Sequence, residues 1–86
     1  MELTRAEFYA KYGEVEVTFS SYYKYTFTFS ALLPDGKLLS VDYGGSSDGI
    51  YRYEVTPGHK TTVTSLYPYA GRVYENGKEV ESFYDF

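Results

Sequence analysis

A chain of 86 residues is one domain, residues 1–86, with no room for a cofactor domain beside a substrate domain. It has no Cys, which excludes a disulfide framework, Cys-ligated zinc and thiol catalysis. With 12 acidic and 8 basic residues the formal charge is −4, which argues against a generic nucleic-acid or membrane surface. The outlier is tyrosine: 12 Tyr and 6 Phe, with no Trp.

The first elements are read in chain order. Thr4 with Glu7 three residues on is a capping box, and Leu3 with Phe8 has the spacing of a hydrophobic staple. Glu7 and Lys11, and Phe8 and Tyr12, are i,i+4 pairs, and Gly13 is the expected left-handed end. The spacing predicts a two-turn helix over residues 5–12. So short a helix cannot stand alone, so it must dock through Phe8, Tyr9 and Tyr12.

After Gly13 the hydrophobic period becomes 2. Val15, Val17 and Phe19 alternate inward, Ser20-Ser21 is a weak break, and Tyr23, Tyr25, Phe27, Phe29 and Ala31 form the clearest strand pattern. Pro34-Asp35-Gly36 predicts a turn, and residues 37–43 return with Leu39, Val41 and Tyr43 on one face. Residues 44–49 are a Gly/Ser-rich loop that lacks both the Lys-Ser/Thr of a phosphate-binding loop and the ligand spacing of a calcium loop.

Residues 50–55 alternate again, Pro57-Gly58 is a turn, and residues 60–67 read as a Thr-rich strand that Pro68 ends or confines to a sheet edge. Asn76-Gly77 demands a two-residue type I′ hairpin. A regular register then sets Glu75 opposite Lys78, Val73 opposite Val80 and Arg72 opposite Glu81. The expected fold is α+β: a short N-terminal helix packed on a curled antiparallel sheet of about six strands, the alternative being a small closed β-barrel.

The start has no apolar signal region, and no run approaches the roughly 20 apolar residues of a membrane span, so the expectation is a cytoplasmic protein without membrane contact. No cofactor or metal motif is present. His59, the only histidine, sits in a predicted turn without a nucleophile context, and reads as a solvated loop residue. Glu14 with Glu16, and Glu79 with Glu81, are same-face pairs along a strand, not carboxylates facing across a cleft. The run Tyr22-Tyr23-Lys24-Tyr25-Thr26-Phe27 is similar to sheets that stack single-stranded nucleic acid, but Lys24 is its lone base.

A core this small cannot satisfy twelve phenolic hydroxyls, so several tyrosines must be exposed. Tyr22 is out of phase with the inward series, Tyr67 and Tyr69 flank Pro68, and Tyr84 is near the acidic end of the sequence. With Glu79 and Glu81 these four tyrosines form the expected contact patch for another protein. The leading reading is a non-catalytic protein-binding module acting through this Tyr-rich acidic surface. In size and composition alone the chain resembles small phage-encoded inhibitors, anti-CRISPR proteins among them. The alternatives are a single-stranded nucleic-acid binder and a small enzyme using His59; a homo-oligomer built by edge-strand pairing is compatible with each.

Overall fold

The computed structural model describes residues 1–44 and 58–85. Helix α1 (Arg5–Tyr12) begins as its capping box dictates. The Glu7 amide donates to Thr4 Oγ1 at 3.1 Å, and the Thr4 amide donates to Glu7 Oε1 at 2.8 Å. Its end differs from expectation: Gly13 is right-handed, with φ −58°. Glycine is required there for space, since a Cβ would strike the Tyr9 carbonyl oxygen and stand 2.7 Å from Thr64 Oγ1.

Among the described residues six strands follow: β1 (Glu16–Tyr23), β2 (Thr26–Leu32), β3 (Leu38–Gly44), β4 (Lys60–Thr62), β5 (Ala70–Glu75) and β6 (Lys78–Tyr84). They form one open antiparallel sheet in the order β4-β1-β2-β3-β5-β6, so the chain is α+β and the barrel alternative is not adopted. A single helical turn, α2 (Val63–Leu66), joins β4 to β5. Among the described residues no helix is long and apolar enough to cross a membrane.

Further expectations are corrected. The strand pattern starting at Tyr23 is broken by a hairpin turn at Lys24-Tyr25, where Lys24 takes φ 56°. Tyr23 and Tyr25 are therefore exposed rather than inward, while Phe27 and Phe29 are buried as the alternation predicts. The Ser20-Ser21 break is a bulge within β1, where the register slips between Phe19 and Ser21.

Residues 60–67 are a strand for only three residues. Thr62 then caps α2, accepting the Ser65 amide at 3.2 Å. The strand expected over residues 50–55 and most of the loop over residues 44–49 lie outside the described residues.

The last hairpin has the predicted turn, with φ 52° at Asn76 and 81° at Gly77, and the predicted Glu75–Lys78 pair. Beyond it the register slips at Val80. Val73 faces Glu81 and Arg72 faces Ser82, in place of the expected Val73–Val80 and Arg72–Glu81 pairs.

Residues paired directly across an antiparallel sheet share a face, so the ladders assign every side. Val17, Phe27, Phe29, Leu39, Val41, Val73 and Phe83 point toward α1 and are buried with Phe8, Tyr12 and Val63. Phe8 stacks on Phe83 with ring centroids 5.1 Å apart, and Tyr12 packs on Phe8 at the same separation. Thr28, Ser30, Ser40, Asp42 and Arg72 line the outer face.

The sheet ends are blunted. β4 is three residues long, and the free edge of β6 is met by the first residues: the Leu3 amide donates to Ser82 O at 2.6 Å, and the Ser82 amide donates to Met1 O at 2.9 Å.

Candidate recognition surface

The six expected contact residues separate onto different parts of the sheet. Tyr69, Tyr84 and Glu79 share the outer face. The Tyr69 ring lies across Gly44, and its hydroxyl is 3.1 Å from Thr26 Oγ1. Beside it runs a chain of polar contacts. Thr28 Oγ1 donates to Asp42 Oδ1 at 2.7 Å, and Arg72 Nη1 donates to Asp42 Oδ2 at 3.0 Å. Arg72 Nε donates to the Tyr84 hydroxyl at 3.1 Å, and that hydroxyl donates to Glu79 Oε1 at 3.3 Å.

The guanidinium also sits over the Tyr84 ring, 5.1 Å from its centre. Burial alone would lower the Arg72 pKa, but the bonds to Tyr84 and Asp42 outweigh it and hold the pKa above its ordinary value. At one end of this face Leu32, Leu38, Tyr74 and Glu79 form a row across four strands, with both leucines exposed.

Tyr22 is on the opposite, helix-side face, 6.3 Å from Phe27. It is 55% exposed and belongs to the β1–β2 hairpin tip with Tyr23 (73%) and Tyr25 (62%). Lys24 at this tip lies 5.4 Å from the centre of the Tyr23 ring. The sequence pattern does not expose Tyr23 and Tyr25 because the turn at Lys24-Tyr25 contains no Gly, Asn or Pro.

Glu81 is no surface acid: it is 6% exposed. The bulge at Val80 turns it toward α1, where its carboxylate accepts from Lys11 Nζ at 2.5 Å and from the Tyr12 hydroxyl. Burial pushes the Glu81 pKa up, yet the two donors prevail and hold it below the usual carboxylate value. The Tyr12 hydroxyl is pushed well above the ordinary tyrosine value by burial and by the same carboxylate.

No protein family, curated protein or solved structure matches the chain.

Tyr67 forms a separate corner with α1. It caps α2 in the left-handed conformation, φ 51°, and is 67% exposed. Arg5 lies 4.2 Å from the centre of its ring, 5.0 Å from that of Phe83 and 5.3 Å from that of Tyr9. Its Nε donates to Asp85 Oδ2 at 2.7 Å and its Nη1 to the Tyr9 hydroxyl at 2.5 Å. Burial raises the Tyr9 pKa, and Arg5 offsets part of that shift. This corner was legible only as a mismatch: Arg5 is the first residue of a helix, the end that disfavours a cation.

His59 is exposed, and its ring meets the edge of Phe29 at 5.8 Å. Among the described residues no group of three or more His, Asp or Glu is placed to hold a metal ion.

Proposed function

We propose that this protein is a non-catalytic binding module that engages another protein through its tyrosine-bearing surface. One observation carries the reading: Tyr22, Tyr23 and Tyr25 surround one hairpin tip, Tyr22 on its helix-side face and Tyr23 on its outer face, each with more than half of its surface open. An aromatic ring removes about 150–250 Å² from water when buried, so three open rings at one tip are a large unspent contact area with few rotors to freeze. An exposed His59 resting on a phenylalanine edge supports a non-catalytic reading. The net charge of −4 favours a basic protein over nucleic acid as partner.

The finer reading is a cytoplasmic inhibitor that acts by occupying its partner's surface. The test is affinity capture from the native host, comparing wild type with Tyr22→Ser/Tyr23→Ser/Tyr25→Ser after circular dichroism has confirmed the variant's fold. A protein held by wild type and lost by the folded variant is the expected result. An identical captured set, or capture of nucleic acid alone, overturns the reading.

A further inference from the structure

The Arg5 corner has the composition of a cation cage rather than of a surface ion pair. Three aromatic rings, Tyr67, Tyr9 and Phe83, lie within 5.3 Å of the guanidinium carbon, and Asp85 and the Tyr9 hydroxyl each accept one of its N–H groups. Such a shell, of π faces with a carboxylate, is how proteins recognise cationic side chains. The inner wall is fixed, because Phe83 is buried under Phe8. The outer wall is open: Tyr67 and the Asp85 carboxylate both face water.

Two local features run against the chain's own preferences at this corner. Arg5 places a cation at a helix N-terminus, and Tyr67 holds a bulky residue at positive φ. Both converge on the same cage.

We propose that this corner is a binding site for an arginine side chain of a partner protein, and that Arg5 is its resident stand-in. On binding, the partner's guanidinium displaces that of Arg5 from Tyr67 and Asp85, and Arg5 turns into solvent. The net charge of −4 is complementary to an arginine-bearing surface. This inference rests on the protein-binding reading above for its partner, but the cage itself is tested without one.

The experiment is an NMR titration of the full chain and of Arg5→Ala with methylguanidinium at millimolar concentrations. The expected result is saturable shifts at Tyr9, Tyr67 and Asp85 in R5A, with an apparent affinity about tenfold or more above wild type, where Arg5 competes. Tetramethylammonium, which has no N–H donor for Asp85 or Tyr9, should bind R5A more weakly, and R5A/D85N should lose the methylguanidinium response.

A folded R5A with no saturable shift, or with the same response as wild type, overturns the proposal. If R5A is partly unfolded, methylguanidinium should raise its melting temperature more than it raises that of wild type, since a ligand specific to the folded state stabilises it. Absence of that rise overturns the proposal equally. A silent cage with tip-dependent capture defeats this inference alone; a responsive cage with tip-independent capture defeats only the partner reading.

Discussion

Phe8 lies directly over Gly71: a Cβ on Gly71 would come within 2.9 Å of Cζ, Cε1 and Cε2 of the phenylalanine ring. The helix therefore sits on β5 through a ring that fills the space a side chain would take. Phe83, the cross-strand partner of Gly71, stacks on the same ring. This contact converts a two-turn helix, which cannot persist alone, into part of the core.

Phe8→Ala should cost about 3 kcal/mol or more, because the ring is fully buried and the rigid sheet cannot collapse onto the cavity. Gly71→Ala should also destabilise, here by overpacking, by about 1–3 kcal/mol. Urea melts of both single variants and of the double variant check this. The two losses should be strongly non-additive, since once the ring is gone the added methyl has room. Additive losses would show that the two residues do not share one space.

Much of this arrangement is legible in the residues, and the failures have physical causes. The capping box of α1 and the Asn76-Gly77 turn are local, encoded within a few residues, and both form as read. The Lys24-Tyr25 turn is invisible because neither residue type signals positive φ, and tertiary pairing of β1 with β2 imposes it. Alternation places Glu81 on the wrong face because it assumes an unbroken register. The bulge at Val80 reverses the side on which Glu81 falls, and its reward, two donors from α1, comes from a helix some seventy positions away. Of the expected contact patch, Glu79 falls on the outer face as the regular register before the bulge predicts, whereas Tyr84 joins it there only because the bulge at Val80 shifts the phase. The hairpin tip and the Arg5 corner depend on long-range packing that no local pattern carries.

Thr4→Ala should cost about 1 kcal/mol through loss of the hydroxyl that accepts the Glu7 amide. Thr4→Ser and Thr4→Asp, which keep an acceptor oxygen, should retain most of that stability. Urea melts of the three variants decide: equal losses for all three would mean that the cap is not the cause.

Gly77→Val should destabilise the C-terminal hairpin, since φ at this position is 81° and a β-branched residue resists it. The nearest space is open, so the cost is conformational rather than steric contact with neighbours. A loss of about 1–2 kcal/mol is expected. Gly77→Asn, a residue that tolerates positive φ, should lose less. If valine and asparagine variants melt together with wild type, the positive-φ turn is not what fixes this hairpin.

The contact between α1 and β6 should govern both ends of the pH–stability curve. Glu81 is held below the usual carboxylate value, with the donors Lys11 and Tyr12 overcoming its burial. Its folded pKa is thus lower than its unfolded pKa, so its contribution is fully present above the unfolded value of about 4.3. That contribution is lost as pH falls through the folded value. Glu7, lowered chiefly by the Thr4 amide, acts in the same direction. Tyr12 has the opposite sign: its folded pKa is raised, first by burial and then by Glu81, so its contribution is present below the unfolded value of about 10 and lost as pH rises toward the folded one. Glu81→Gln should therefore lower stability at neutral pH, flatten the acid limb and weaken the alkaline one, because the carboxylate that raises Tyr12 is gone. Tyr12→Phe should flatten the alkaline limb and leave most of the acid limb, since Lys11 still pairs with Glu81 at 2.5 Å. Chemical denaturation of the three proteins between pH 2 and pH 11, about two units beyond the carboxylate reference and one beyond that of tyrosine, measures both limbs. Parallel curves for all three would show that this contact does not couple the helix to the sheet.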